Sequence, residues 1–177
     1  PANSAVKLER SWEIALAMAA SLGFDIIPWR VAYLKEAQQR GTALRIAVGS
    51  DEQTHLTDLV VRELESRGHQ VELGGALTGE ATPWPQVGQW VAEEVASGRC
   101  HEGVVFCWTG TGVSIAANKV PGIRAALCAD AETARGARSW NRANVLVLSL
   151  RLTSEAVAQE ILDAWLTTPW GEGEDAV

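Results

Sequence analysis

The chain has 177 residues, a formal net charge of −7 and 47% hydrophobic residues. This length predicts one domain with at most a short appendage, able to bury a sizeable core without disulfides. The acidic balance argues against a nucleic-acid partner, because a phosphate backbone requires clustered Lys and Arg. The three cysteines are odd in number and lack metal-ligand spacing, which indicates a reducing, cytosolic compartment.

The first 43 residues have a helical pattern. Residues 5–22 and 29–40 predict two helices, with apolar residues at helical period that indicate a buried face. The apolar stretch 12–27 is shorter than the roughly 20 residues of a membrane span, and Glu13 interrupts it. We therefore expect no membrane span and no export signal here, and interpret residues 1–43 as an N-terminal helical extension.

Beyond this extension, short β-type runs alternate with helical stretches. The predicted strands are 43–50, 70–73, 103–107, 123–128 and 144–149, and the predicted helices are 54–67, 86–97, 113–119, 130–139 and 153–167. Runs such as Val145-Leu-Val-Leu148 are apolar on both faces, which is typical of parallel strands covered by helices on each side. The alternation predicts an α/β domain over residues 44–170, a doubly wound parallel sheet of about five strands, followed by a flexible acidic tail at 171–177.

Ligands of such sheets bind beyond the carboxyl ends of the strands. Three predicted strands end in residues with reactive or polar side chains: Ser50-Asp51, Cys107-Trp-Thr-Gly110 and Ser149-Leu-Arg151. We therefore expect the functional site at this edge of the sheet.

The most informative segment is Cys107-Trp-Thr-Gly-Thr-Gly-Val-Ser-Ile-Ala-Ala-Asn-Lys119. A strand ends at Cys107, a glycine turn follows, and a helix begins at once. Unpaired N–H groups at a helix start suit an anion, either a bound phosphate or a charge that develops during a reaction. A thiolate beside such a pocket can remove a proton next to a carbonyl, and the pocket can stabilise the enediolate. The residues alone leave open a second interpretation, in which Cys107 is a small buried hydrophobe in a tight turn.

This block, followed by Pro121-Gly-Ile-Arg-Ala125, resembles a sequence block of the ribose-5-phosphate isomerase B and galactose-6-phosphate isomerase family. The family pattern is Cys-Gly-Thr-Gly-x-Gly-x-Ser-Ile-Ala-Ala-Asn-Lys and then Gly-Ile-Arg-Ala, and the likeness extends over about residues 44–170. The resemblance implies a Rossmann-like fold and a cytoplasmic aldose–ketose isomerase that uses neither metal nor organic cofactor. It also implies a homodimer or homotetramer whose active site lies at a subunit interface, with a sugar or sugar phosphate as substrate.

Carried over by position, the resemblance implies roles for individual residues. Cys107 corresponds to the base that moves the proton, assisted by Thr109 at the anion pocket. The other residues that the resemblance places around the substrate are Asp51, Gly110, Gly112, Ser114, Asn141 and Arg151, with Arg151 on phosphate and Asp51 and Asn141 on sugar hydroxyls. Asn118 is expected to brace the helix instead.

The chain departs from the family pattern at substrate-handling positions. Glu52 replaces a phosphate-binding histidine, and Trp140 replaces the ring-opening histidine. Trp108 stands in place of a glycine, Trp84 takes a tyrosine-type position, and acidic residues replace the C-terminal arginines. We expect the three tryptophans near one pocket, with Trp108 and Trp140 against substrate; the alternative is that each fills the core.

Three functions stay open at this point. The first is an isomerase of the family with altered specificity, and the second is a Cys107-dependent isomerase of an unphosphorylated substrate. The third is a catalytically silent ligand-binding or partner subunit. Retention of Cys107 with its turn favours the first two functions. Loss of the ring-opening histidine, which would act as an acid, and of the phosphate contacts favours the last two.

Overall fold

The computed structural model describes residues 43–171, which form one parallel sheet with the strand order β2-β1-β3-β5-β4. The strands are β1 (Arg45–Ser50), β2 (Gln70–Gly75), β3 (Glu102–Cys107), β4 (Ala125–Leu127) and β5 (Val145–Ser149). The helices are α1 (His55–Ser66), α2 (Trp84–Ala96), α3 (Thr111–Ala117), α4 (Ala131–Ser139) and α5 (Glu155–Thr167), with a short 3-10 helix at Ala76–Thr78. The predicted doubly wound, Rossmann-like α/β fold is confirmed. The two helices predicted over 5–22 and 29–40 and most of the acidic tail lie outside the described residues.

Side-chain caps define where several helices begin. Thr54 caps α1 through a capping box with Thr57, Asp130 accepts a hydrogen bond from the N–H of Thr133, and Ser154 accepts one from that of Val157. These polar caps satisfy N–H groups that have no partner within the helix. They explain why these helix starts were predicted to within two residues.

Strand β4 is shorter than the predicted 123–128. The backbone N–H of Arg124 donates to Asn144 Oδ1 at 2.9 Å, and that of Ala125 donates to Asn118 Oδ1 at 2.9 Å. Two asparagine side chains thus accept hydrogen bonds from the backbone N–H groups of Arg124 and Ala125 where the strand begins. The predicted strand was longer than the observed one because these side-chain hydrogen bonds compete with the backbone hydrogen bonds between strands.

The core forms two layers, one on each face of the sheet. One layer joins Phe106 and Leu146 to α1, α4 and α5, and the other joins Val105 and Val147 to α2 and α3. All residues of β3 and β5 are buried, as expected for central strands that are apolar on both faces. Cys107 belongs to the layer under α2 and α3.

The chain reverses its direction of winding between β1 and β3. β1 lies between β2 and β3, so the loops after β1 and β3 lead to opposite sides. A crevice forms where such loops part, and this is where doubly wound sheets bind ligands. Among residues 43–171, no helix has the length and apolar character needed to cross a bilayer.

Candidate active site

Cys107 is held at the carboxyl edge by β5. It is buried and pairs with Ser149 across the two strands. The Leu150 N–H donates to the Cys107 carbonyl at 3.0 Å, and the Ser149 hydroxyl donates to the Trp108 carbonyl at 2.9 Å. The Arg151 N–H donates to the same Trp108 carbonyl at 3.0 Å. The backbone that presents Cys107 is thus fixed from one side by three hydrogen bonds, and the sequence offered no sign of the part played by Ser149.

The turn after Cys107 requires glycine at two places. Gly110 has a φ of 78°, and a Cβ there would lie 2.4 Å from Leu127 Cδ1. Gly112 lies under the ring of Trp84, where a Cβ would come within 3.0 Å of it. Thr109 and Thr111 flank Gly110, and their hydroxyls are 2.8 Å apart on an exposed surface. The turn therefore brings backbone and two hydroxyls to the crevice beside Cys107.

Asn118 and Ser114 tie α3 to β4. The Asn118 amide donates to the carbonyls of Ser114 at 2.9 Å and Ala125 at 2.8 Å, while its oxygen accepts from the Ala125 N–H. The predicted bracing role of Asn118 is confirmed. The Ser114 hydroxyl donates to the Ala125 carbonyl at 3.4 Å, so a bond to an enediolate would compete with this contact.

Asp51 is the carboxylate that follows β1. The buried Ser50 shapes its turn, since the Ser50 hydroxyl donates to the Glu52 carbonyl at 2.6 Å. Asp51 Oδ1 is buried and accepts no hydrogen bond from residues 43–171. Burial raises the pKa of Asp51, and the neighbouring Glu52 charge adds to the rise. Pairing of Ser50 with Phe106 puts Asp51 beside the end of β3, so an acceptor with spare capacity lies near Cys107.

The three substituted tryptophans are largely exposed, which contradicts the core-filling alternative. Trp84 is 44% exposed, Trp108 is 58% exposed and Trp140 is 65% exposed. Trp84 lies on Gly112 and Trp108 follows Cys107, so both belong to the carboxyl edge. Trp140 instead lies on Gly136, in the last turns of α4. Within one chain, the three tryptophans therefore do not line a single pocket.

Asn141 lies at the amino edge of the sheet, the edge where the strands begin. It follows α4 and precedes β5, where the Asn144 carbonyl accepts from the Gly103 N–H at the start of β3. At about 3.3 Å per residue, the length of β5 puts roughly 13 Å or more between this edge and the Cys107 level. Within one chain, Asn141 does not share a pocket with Cys107 and Asp51.

Arg151 lies at the carboxyl edge with an exposed side chain. It forms no ion pair with any other residue of 43–171, so a surface salt bridge within that range is not its role.

The histidines do not replace the missing acid beside Cys107. His69 Nδ1 accepts from the Leu44 N–H at 3.2 Å, and His101 Nδ1 accepts from the Arg45 N–H at 2.8 Å. Both therefore lie at the amino edge, and burial lowers the pKa of His69. His55 is exposed at the first position of α1.

The other two cysteines are not part of the turn: Cys100 precedes β3, and Cys128 follows β4 in the core layer on the opposite face of the sheet from Cys107. Burial raises the pKa of Cys100 to about 11 and that of Cys128 to about 12. Both are buried and, like Cys107, form no disulfide. At neutral pH these two thiols stay protonated and unreactive.

A cysteine at a strand end, a glycine turn and a carboxylate with one buried oxygen that has no partner among residues 43–171, all at the switch point, define a Rossmann-like α/β protein with a small-molecule site. Comparison with known proteins identifies which. The profile of the family described as Ribose/Galactose Isomerase matches residues 46–177. The chain belongs to this family.

Three relatives show the range within the family. Galactose-6-phosphate isomerase subunit LacB of Clostridium acetobutylicum is 40% identical over 122 residues, 68% of this chain and 70% of that protein. D-erythrulose-4-phosphate isomerase of Pectobacterium atrosepticum is 36% identical over 135 residues, 75% of this chain and 89% of that protein. The structure of Clostridium thermocellum ribose-5-phosphate isomerase B superposes with a TM-score of 0.71 at 41% identity, covering 75% of this chain and 90% of that one.

Proposed function

We propose that the chain is a cofactor-independent aldose–ketose isomerase in which Cys107 is the base. The observation that carries the proposal is the placement of Cys107 at the end of β3, followed at once by the turn 108–112 with the exposed hydroxyls of Thr109 and Thr111. A base next to preorganised donors is what proton removal beside a carbonyl requires.

The reaction moves one proton between neighbouring carbons. The Cys107 thiolate takes the proton from the carbon that bears the hydroxyl, and the electron pair of that C–H bond forms the enediolate double bond. The thiol then returns the proton to the former carbonyl carbon, while a proton passes between the two oxygens, so substrate and product are isomers. Thr109 and the backbone N–H groups of the turn stabilise the oxyanion, and Asp51 accepts a hydrogen bond from a substrate hydroxyl.

The site is completed by a second copy of the chain. Asn141 and Trp140 lie on the turn after α4, at the edge opposite Cys107. If these residues contact the substrate of Cys107, they do so from a neighbouring subunit. This supports a homodimer, or a homotetramer built from such dimers.

Specificity differs from that of a ribose-5-phosphate isomerase. Glu52 is exposed next to Asp51, where its charge disfavours a phosphate dianion. The exposed indoles of Trp108 and Trp140 suit the C–H face of a sugar. Arg151, in contrast, has no ion-pair partner in 43–171 and favours an anionic group. The three relatives above are named for different sugars, each with a phosphate. We therefore propose first that the substrate differs from ribose 5-phosphate in its sugar, and only second that it lacks a phosphate.

A second candidate is isomerisation of an unphosphorylated sugar, and Glu52 is the observation that favours it. A catalytically silent subunit is a weaker alternative, because Cys107 and the Thr109-Gly-Thr-Gly112 part of the turn are retained. Deuterium exchange from D2O into the α-carbon, followed by NMR, separates these candidates. The panel contains ribose 5-phosphate, galactose 6-phosphate, erythrulose 4-phosphate and free pentoses and hexoses.

We expect exchange with at least one sugar and its loss in Cys107→Ala. Exchange that persists in Cys107→Ala would remove Cys107 as the base. No exchange with any sugar of the panel would favour the silent subunit.

A further inference from the structure

A fully buried ion pair joins the start of β3 to the last turn of α4. Arg138 donates to Glu102 Oε1 at 2.7 Å, and the two side chains are 0% and 1% exposed. The other carboxylate oxygen, Oε2, accepts from the indole N–H of Trp165 at 2.7 Å. The guanidinium carbon lies 4.9 Å from the Trp165 ring and 5.2 Å from the Trp170 ring. Every polar contact of this pair is made inside the protein.

Stability alone is a poor reason for such a pair. Desolvation of two charges offsets their attraction, and apolar replacement of a buried ion pair is often neutral or stabilising. The pair is also remote from Cys107, since Glu102 is the first residue of β3 and Cys107 is the last. A role for the pair in function must therefore act through the other hydrogen bonds that Arg138 makes.

Arg138 holds the turn that carries Trp140 and Asn141. Its NH1 group donates to the Ala143 carbonyl at 2.8 Å, and the indole N–H of Trp170 donates to that same oxygen at 3.2 Å. Ala143 closes the turn, and its own N–H donates to the Ala137 carbonyl at 2.9 Å. The ion pair orients the guanidinium so that its second arm reaches this carbonyl.

The turn is fastened on its outer side as well. Arg142 has a φ of 49°, an unusual value for a residue with a side chain. Its Nε donates to the Gly171 carbonyl at 3.2 Å, and Arg124 donates to the Asn141 carbonyl at 3.0 Å. The backbone of the turn is thus bonded on both sides while the side chains of Trp140 and Asn141 stay exposed.

We propose that the Glu102–Arg138 pair is a positioning device that fixes the Trp140–Asn141 turn in the orientation that enters a neighbouring subunit's site. Arg138 is a positioning residue, because it acts on substrate only through the turn. The inference rests on the proposed function, since it takes Asn141 as a contact of the substrate. It adds that binding of substrate in one subunit depends on a buried pair in the other.

The test uses the full-length chain and a paired replacement. Glu102→Gln with Arg138→Met removes both charges while keeping similar volumes and an acceptor for Trp165. Arg99→Met with Glu94→Gln is the matched control, because that bidentate pair, at 2.8 Å, is partly exposed and joins α2 to the loop after it, whereas α4 packs on the opposite face of the sheet. The readouts are amide hydrogen exchange over 139–144, KM and kcat for the substrate found by the deuterium screen, and the alkylation rate of Cys107.

We expect faster exchange over 139–144 and a rise in KM of about tenfold, the loss expected for one misplaced hydrogen bond. The value of kcat and the alkylation rate of Cys107 stay within about twofold, and the control pair changes none of these quantities. Arg138→Lys gives an intermediate rise in KM, since one ammonium cannot reach both Glu102 and the Ala143 carbonyl.

Unchanged exchange, or faster exchange with unchanged KM, overturns the proposal. If the paired replacement does not fold, Arg138→Lys decides, because it keeps a positive charge beside Glu102 but cannot also reach the Ala143 carbonyl; unchanged exchange and KM there overturn the proposal too. A wild-type chain without any turnover would refute the proposed function instead, and the exchange over 139–144 would then decide by itself whether the pair fixes the turn.

Discussion

Cys107 and Ser149 face each other across β3 and β5, and the hydroxyl of Ser149 bonds the carbonyl that follows Cys107. The same strand β5 begins at Val145, four residues after Asn141. Strand β5 therefore ends at Ser149, which supports the proposed base, and begins just after Asn141, a proposed substrate contact. The two proposed groups can meet only between two copies of the chain.

Complementation between two inactive variants tests this arrangement. Cys107→Ala and Asn141→Ala are each expected to lose activity, while their co-expressed mixture recovers about one quarter of wild-type activity. The reason is that half of randomly formed dimers contain both variants, and each such dimer has one site with neither change. Differently tagged chains and a two-step purification isolate the mixed dimer. Its complete inactivity would contradict a shared site, as would a 19 kDa monomer in sedimentation at micromolar concentration.

Thiol reactivity distinguishes Cys107 from the other two cysteines. Cys128 and Cys100, with pKa values raised by burial to about 12 and about 11, are expected to resist iodoacetamide in the folded protein at pH 7.5. We expect Cys107 to be labelled first, with loss of activity in parallel. Peptide mass spectrometry over time follows all three sites. Labelling of Cys128 at an equal or faster rate would refute the assignment.

Asp51→Asn is expected to stabilise the protein and weaken catalysis. The pKa of Asp51 is raised above its ordinary 3.8, so the folded state binds this proton more tightly than the unfolded state does. Asp51 therefore supports folding fully below pH 3.8, and that support is lost as the pH rises through the raised value. At pH 7 the variant should have the higher Tm, and the difference should vanish below pH 3.8.

The kinetic part of the same prediction is a fall in kcat/KM of about 10- to 100-fold, because a charged acceptor of a substrate hydroxyl is lost. Thermal melts between pH 3 and 8 and steady-state kinetics give the two answers separately. An equal or lower Tm at pH 7 would show that the buried oxygen finds a partner on folding.

Glu52 is expected to limit turnover of ribose 5-phosphate. Glu52→Gln removes a charge next to the site and should raise kcat/KM severalfold, whereas Glu52→His adds a phosphate donor and should raise it by about tenfold or more. A coupled assay at low ionic strength measures both variants. Wild-type kcat/KM of about 10⁴ M⁻¹s⁻¹ or better with ribose 5-phosphate would contradict altered specificity.

Gly110→Ala should cost more stability than Gly68→Ala, although both glycines have φ near 80°. A Cβ at Gly68 meets nothing within 4 Å, while one at Gly110 lies 2.4 Å from Leu127 Cδ1. Each change therefore costs about 1–2 kcal/mol for the left-handed backbone, and the Gly110 variant loses more through steric overlap. Urea unfolding of the two variants gives the comparison. Equal losses would show that the Leu127 side chain yields freely.

The amino-acid sequence by itself determined the class of fold and the family, while the edge of the sheet where ligands bind stays a prediction. Periodicity, caps and apolar strands are local signals, and the block Cys107–Lys119 is contiguous, so none of these needs long-range information. The bracing role of Asn118 was also predicted correctly, because asparagine commonly bonds nearby backbone groups.

Only the tertiary structure decided which of these residues lie together. Asn141 and Trp140 are separated from Cys107 by the length of a strand, a relation that depends on the direction in which β5 pairs with β3. The Glu102–Arg138 pair joins residues 36 positions apart, and nothing local marks either of them as buried. Strand pairing and charge burial arise from contacts between distant segments, so they appear only when the chain is folded.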